Sequence, residues 1–205
     1  MLDILSHILH ATSALLLIMG IYGYKKDQPF TWLILAYCIY HVITDTLFGI
    51  TSHYGIHNWF LKDYFMFPEW IINASLLYYI LNKKKSALVL FITGGIVLAI
   101  CQIIREPDTY WPAHLLSILI TIASAFVWIY FIRTVGLTHI TKLRRFWILI
   151  SITLLQSISS FTLLLYELVP MNKYDFLPSI IIATFYITVA FSYAACIKAC
   201  LCKQN

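Results

Sequence analysis

The amino-acid sequence predicts an all-α integral membrane protein, built as a bundle of seven transmembrane helices. Of its 205 residues, 61% are hydrophobic and only 11% are charged, whereas about a quarter of the residues of a soluble domain carry a charge. Such a chain has too few polar side chains to cover a water-soluble globule, and its hydrophobicity excludes intrinsic disorder. The apolar runs are about 20 residues long without strict alternation, which is typical of membrane helices and not of barrel strands.

Seven apolar runs divide the chain, which we interpret as one membrane domain covering residues 1–205. The predicted spans cover residues 4–24, 31–50, 60–81, 86–104, 110–132, 146–168 and 176–200. Each is close to the length that the hydrocarbon core of a bilayer requires. We do not expect the first run to be a cleaved signal peptide, because Asp3 replaces the basic start of such a signal.

The span boundaries follow from charged residues and prolines, taken in chain order. The first span ends at the Lys25–Lys26 pair, and Pro29 precedes the second, as proline favours the start of a helix. The Lys83–Lys85 run separates the third span from the fourth. Pro112 opens the fifth span, and the basic segment 142–145 separates the fifth from the sixth.

Basic residues alternate between two sets of loops and predict the orientation of the chain in the membrane. One set contains most of the lysines and arginines: Lys25, Lys26, Lys83, Lys84, Lys85, Arg133, Lys142, Arg144, Arg145, Lys198 and Lys203. The other contains only Lys62, Arg105 and Lys173. Because cytoplasmic loops are enriched in lysine and arginine, we expect the N-terminus outside and the C-terminus in the cytoplasm, in the plasma or inner membrane. The net charge of +5 then reflects topology and anionic lipid, and no nucleic-acid partner is expected.

With this topology, most acidic residues and histidines fall in the outer loops or the outer and middle parts of spans. The acids there are Asp3, Asp45, Asp63, Glu69, Glu106, Asp108, Glu167 and Asp175, with Asp27 on the other side. The histidines there are His7, His10, His41, His53, His57 and His114, with His139 on the other side. This one-sided distribution predicts an outward-facing polar pocket.

Helical spacing selects the residues of this pocket, because residues three or four apart share a face. The predicted ligand-binding residues are Asp45, Glu69, His41, His114, Asn73 and Gln156. At about 1.5 Å per residue, Asp45 and Glu69 lie roughly 8 Å and 13 Å inside the outer boundary. Ionisable groups at such depth are costly and normally mark functional sites. The alternative is that these groups only hydrogen-bond to one another.

A metal site is a second interpretation of the same residues. His7 with His10, and His41 with Asp45, have the spacing from which zinc ligands are drawn on helices. However, no His-Glu-x-x-His motif is present, and the seventh span has no histidine or acid in its core. We therefore predict no bound cofactor or metal, with zinc at His7, His10, His41 and Asp45 as the alternative.

Three cysteines near the end of the seventh span have no assigned role. Cys196, Cys200 and Cys202 lie close to basic residues, where a lipidation site, a soft-metal site and free thiols all remain open. The total of five cysteines, with two in mid-membrane, does not predict a disulfide framework.

Two stretches of the sequence resemble the heptahelical membrane modules of bacteria that precede the kinase region of some sensor histidine kinases or stand alone. They are NWFLKDYFMFPEWIINASLLYYILNKKK, residues 58–85, and RRFWILISITLLQSISSFTLLLYE, residues 144–167. The resemblance implies that Asp45 and Glu69 are the acids of a pocket and that the C-terminal end is the output. Because the sequence ends at Asn205 without a kinase region, we expect a signal to pass through a partner protein.

The sequence therefore predicts a sensory, receptor-like module that binds a small molecule, a lipid or an ion from the outer side. It would sit in the lipid bilayer and signal through a cytoplasmic or membrane partner. No catalytic residues are identified, and a receptor is favoured over an enzyme. The alternatives are a lipid-modifying enzyme, metal-dependent or not, a small transporter, and a structural subunit of a membrane complex.

Overall fold

The computed structural model describes residues 2–25, 28–54, 59–104, 111–135, 143–168 and 176–202. In these ranges the chain forms seven α-helices: α1 (Leu2–Gly23), α2 (Pro29–His53), α3 (Trp59–Ile80), α4 (Lys85–Ile104), α5 (Trp111–Val135), α6 (Arg144–Leu168) and α7 (Phe176–Leu201). Each helix overlaps one predicted span. The all-α prediction is confirmed.

Several residues that the sequence singled out lie outside the described residues: Lys26, Asp27, His57, Arg105, Glu106, Asp108, His139, Lys142, Lys173, Asp175 and Lys203. The same holds for the side chains of Asp3, Lys62, Asp63 and Glu167.

Five of these helices are long and apolar enough to cross a membrane. Their apolar segments are Ile4–Gly23, Pro29–Thr51, Lys85–Ile104, Trp111–Thr134 and Ser179–Leu201. They give the chain the character of a multi-pass membrane protein, as the composition predicts. The remaining two, α3 and α6, are long enough but carry more polar side chains, including Glu69 and Gln156.

Six helices form a closed ring, and α4 lies outside it. Around the ring each helix packs against the next in the order α7, α1, α2, α3, α5, α6 and back to α7. The interior is filled by large buried side chains, including Leu16, Tyr37, Met66, Phe131 and Tyr193. The outward surfaces are covered with exposed aliphatic and aromatic side chains. An apolar exterior around a polar-containing interior is the arrangement that a lipid environment favours.

The ends of the helices that carry the basic residues meet at one end of the bundle, here called the basic end. A guanidinium nitrogen of Arg145 donates to Asn82 Oδ1 at 2.6 Å, and the ammonium group of Lys84 lies 4.1 Å from the centre of the Tyr130 ring. At the same end, α1 at Gly23 approaches α7 at Cys200. The predicted grouping of basic loops is therefore present in the fold.

The α3–α4 turn has a local sequence explanation. Asn82 and Lys83 have φ angles of 55° and 58°, in the left-handed region that asparagine tolerates better than most residues. The Lys83 amide donates to the Tyr78 carbonyl at 3.0 Å and the Asn82 amide to the Tyr79 carbonyl at 3.1 Å. This pair of bonds satisfies the last carbonyls of α3 in the manner of a Schellman motif.

Two glycines allow α4 to pack against the ring. A Cβ at Gly94 would lie 2.5 Å from a ring carbon of Trp70, and one at Gly95 would lie 3.0 Å from the indole nitrogen. That nitrogen donates to the Phe91 carbonyl of α4 at 3.2 Å. Since α4 buries only Ala87 and Leu98, the Trp70 contact is a large part of what holds it.

We predict that Gly94→Leu detaches α4 from the ring and lowers the free energy of unfolding by about 1–3 kcal/mol, the usual cost of overpacking. Denaturant-induced unfolding in mixed micelles measures this loss. Thr93→Leu is the matched control, because Thr93 is exposed. In a Trp70→Leu background, Gly94→Leu should cost much less. An equal cost in both backgrounds would contradict the packing role.

Candidate functional site

One face of α2 carries the side chains around which the polar interior is arranged. Tyr37, Tyr40, His41, Thr44 and Asp45, here called the α2 stripe, are spaced three or four residues apart. This spacing places them on one side of a helix. All but Asp45 are buried, and Asp45 is half-buried.

Asp45 joins three helices and lies in the half of α2 that is farther from the basic end. Its Oδ2 accepts hydrogen bonds from Ser13 of α1 at 3.0 Å and from the hydroxyl of Tyr193 of α7 at 2.6 Å. Both bonds end on the same oxygen, and Oδ1 receives none from the described residues. The partners are neutral hydroxyls, which would solvate an ionised Asp45 without balancing its charge.

A histidine approaches this carboxyl from α1. His10 lies one turn before Ser13, and its ring packs beside Gly49, which is one turn after Asp45 on α2. Its Nε2 would be 2.9 Å from a Cβ at Gly49, so a glycine on α2 makes room for the ring. The Asp45 part of the site is therefore formed by α1, α2 and α7.

Glu69 forms a second, closed group with α2 and α6. Its Oε2 accepts from the Tyr40 hydroxyl at 3.1 Å, and its Oε1 accepts from Gln156 Nε2 at 2.7 Å. The amide of Asn73 donates to the Glu69 backbone carbonyl at 2.9 Å. Glu69 is 8% exposed, and Gln156 and Asn73 are fully buried. Both carboxyl oxygens are occupied, so this group works chiefly as an internal link between helices.

His41 lies between the two acidic groups. Its ring centre is 4.3 Å from that of Tyr37, 5.0 Å from that of Tyr40 and 5.7 Å from that of Tyr193. The three tyrosines surround the imidazole on different sides. Through these rings the Asp45 group and the Glu69 group are in contact.

A chain of hydroxyls continues from the α2 stripe towards the basic end. Tyr37 Oη and Ser151 Oγ are 3.2 Å apart, and Ser151 Oγ and Ser192 Oγ are 3.0 Å apart. Ser192 Oγ also donates a hydrogen bond to the Ser151 backbone carbonyl at 2.9 Å. These bonds join α2, α6 and α7 in the middle of the ring, where unsatisfied hydroxyls would be costly.

The structure brings together four of the predicted pocket residues, Asp45, Glu69, His41 and Gln156, and places Asn73 beside them. His114 lies half-buried in the first turns of α5, a helix that packs against α3. The alternative in which polar groups hydrogen-bond to one another describes Glu69 well. It describes Asp45 only in part, because Oδ2 is hydrogen-bonded whereas Oδ1 accepts no hydrogen bond from the described residues.

Sequence reasoning missed the hydroxyl donors, above all Tyr40 and Tyr193. A signal for the first was present, because the α2 stripe repeats polar and aromatic residues at helical spacing. Tyr193 and Ser13 carry no comparable signal, since which side chains meet across a ring of helices is decided by tertiary packing.

The residues predicted as the alternative zinc ligands are not assembled as a metal site. His7 and His10 are exposed on α1, whereas His41 is buried in the interior. Among the described residues, the group whose potential ligand atoms all lie within 4.8 Å of one another is Cys38, Cys196 and Cys200. Cys38 was not part of the predicted cysteine cluster, and Cys202 of that cluster is not in this group.

A scan against models of known protein families matched none of them, and searches of curated proteins and of solved structures found no match. The function is therefore argued from the chemistry of the site alone.

We predict that Glu69→Ala destabilises the fold more than Glu69→Gln. The alanine variant leaves the Tyr40 hydroxyl and the Gln156 amide without their acceptor, which costs about 1–3 kcal/mol per buried group. In the glutamine variant the side-chain oxygen at position 69 still accepts one hydrogen bond. Rotation of the Gln156 amide allows its oxygen, which has no partner among the described residues, to accept a bond from the new amide group. Unfolding in mixed micelles compares the two; equal stabilities would contradict this role.

Proposed function

We propose that the chain is a sensory, receptor-like membrane module that binds a small cation or a cationic group at Asp45. The observation that carries this proposal is that Asp45 is half-buried and that its Oδ1 accepts no hydrogen bond from the described residues. A carboxylate among neutral hydroxyl donors still attracts a positive charge, and low polarity around it strengthens that attraction. Serine and tyrosine oxygens at 3.0 Å and 2.6 Å also supply further polar contacts.

The comparison of the two acids favours Asp45 as the binding group. Glu69 is buried and uses both carboxyl oxygens within the protein, whereas only one oxygen of Asp45 accepts hydrogen bonds from the described residues. His10 borders the Asp45 side of the site and is itself exposed. A ligand that enters from the end opposite the basic end therefore meets Asp45 before Glu69.

The contacts of Asp45 also supply a route by which binding can be transmitted. Tyr193, which donates to Asp45, is the neighbour of Ser192, which bonds to Ser151 of α6. Farther along α7, Arg144 of α6 donates to the carbonyls of Ala199 at 3.0 Å and Cys202 at 3.1 Å. A shift of α7 near Asp45 would therefore change the contacts between α6 and α7 at the basic end.

In this proposal all seven helices cross the plasma or inner membrane, with the N-terminus outside and the basic end in the cytoplasm. Helices α3 and α6 span as well, because their polar side chains face the interior and form the Glu69–Gln156 bond. The positive charge of the basic end agrees with a cytoplasmic position. The output would be a partner protein that contacts this end, which the resemblance to bacterial sensor modules implies is the output end.

We predict that the full-length protein in detergent is stabilised by at least one of four cations: Na⁺, K⁺, methylammonium or guanidinium. The midpoint of thermal unfolding, measured at increasing concentrations of each chloride salt, should rise and saturate. Binding at one hundred times Kd stabilises a protein by about 2.7 kcal/mol. Asp45→Asn should abolish this rise, because the amide carries no negative charge.

The matched variant is Glu69→Gln, which removes the other intramembrane charge and should keep the cation-dependent rise. Thr184→Ala, at an exposed position of α7, controls for substitution in general. A rise that survives in Asp45→Asn, or that is lost only in Glu69→Gln, would contradict the assignment of Asp45. No rise with any of the four cations would contradict the proposed ligand chemistry.

A further inference from the structure

Three thiols meet towards the basic end, about one helical turn beyond Tyr193 of the Asp45 group. Cys196 and Cys200 lie one turn apart on α7, and Cys38 faces them from α2. All three are buried, with Cys38 and Cys196 at 0% exposure and Cys200 at 5%. We call these residues the thiol cluster.

The distances within the thiol cluster match those of thiolates around one metal ion. The sulfur atoms of Cys38 and Cys196 are 3.8 Å apart, and all three sulfurs lie within 4.8 Å of one another. With metal–sulfur bonds of about 2.3 Å, three sulfurs around a trigonal ion lie about 4 Å apart. A central ion therefore fits with only small side-chain movements.

Helix α1 closes the cluster on one side through two glycines. A Cβ at Gly20 would lie 2.9 Å from the Cys38 sulfur, and one at Gly23 would lie 3.0 Å from the Cys200 Cβ. Larger residues at these two positions would overlap with the side chains of Cys38 and Cys200. The glycines thus leave space around thiols that the rest of the core encloses.

A buried arginine supplies positive charge next to the cluster. Arg144 is 7% exposed and donates to the carbonyls of Ala199, next to Cys200 in the last turn of α7, and of Cys202, just after the helix. It fixes the turn that carries Cys200 and offsets part of the negative charge that thiolates would bring into the interior. Burying thiolates without such a charge would be costly.

We propose that Cys38, Cys196 and Cys200 form a binding site for one Cu(I) ion. Soft thiolate ligands select Cu(I) over hard cations, and structural zinc sites take four ligands where this group offers three. No imidazole or carboxylate belongs to this group among the described residues. The ion remains Cu(I) throughout: copper–sulfur bonds replace sulfur–hydrogen bonds, and the displaced protons pass to water. The site is independent of the ligand proposed for Asp45.

The test is an anaerobic titration of the reduced, full-length protein in detergent with Cu(I), in competition with a Cu(I) chelator. We expect one Cu(I) per chain, and X-ray absorption at the copper edge should show three sulfur ligands. Cys38→Ser, Cys196→Ser and Cys200→Ser should each weaken binding at least tenfold. Cys101→Ser and Cys202→Ser are the matched controls and should bind as the wild type does.

The proposal is overturned if Cys196→Ser binds Cu(I) as tightly as the wild type, or if Cys101→Ser weakens binding equally. It is also overturned if the copper spectrum shows nitrogen or oxygen in place of sulfur, or if the protein retains Zn(II) and rejects Cu(I). The spectrum of the wild-type protein decides the matter even where a serine variant fails to fold. A Cys38–Cys196 disulfide that forms under air, in protein that binds no Cu(I) when reduced, would assign the cluster to thiol oxidation instead.

Discussion

The hydrogen bonds between the carboxyl groups of Asp45 and Glu69 and the neutral donors around them constrain the rest of this structure. A carboxyl group in an apolar interior is tolerated only where other groups of the protein satisfy it. Asp45 obtains its donors from α1 and α7, and Glu69 obtains its donors from α2 and α6. These two sets of bonds require α2 to face α1, α3 and α7 at once, and the α2 stripe is the surface that does so.

The ring of six helices follows from that requirement. Helix α2 contributes long side chains that cross the interior to α6 and α7, with which it does not pack extensively. Helices α3 and α6 are less apolar than the others because they supply Glu69 and Gln156 to this interior. Helix α4 supplies no such group, buries two small or aliphatic side chains, and remains outside. The division between a polar interior and an apolar exterior thus also explains the order of the helices.

Much of the fold could be predicted from the sequence, because helix position depends on local hydrophobicity and on charged or proline boundaries. The sequence also indicated four polar residues of the interior, because polar residues are few in such a chain: Asp45, Glu69, His41 and Gln156. Their partners Tyr193 and Ser13 could not be predicted, because a tyrosine in an apolar helix carries no sign of which carboxyl group it will contact. Likewise, Cys38 and Cys196 are 158 residues apart in the sequence, and only the ring of helices brings them together.

The most direct test of this account is hydrogen exchange of the full-length protein in which Tyr37, Tyr40 and Tyr193 are all replaced by phenylalanine. This variant keeps the ring volume but removes the hydroxyls that join the α2 stripe, Glu69 and Asp45 to their neighbours. If these bonds hold the bundle together, exchange should rise in α2, α3, α6 and α7 together, while α4 changes little. A rise confined to α2, or exchange identical to that of the wild type, would contradict the account.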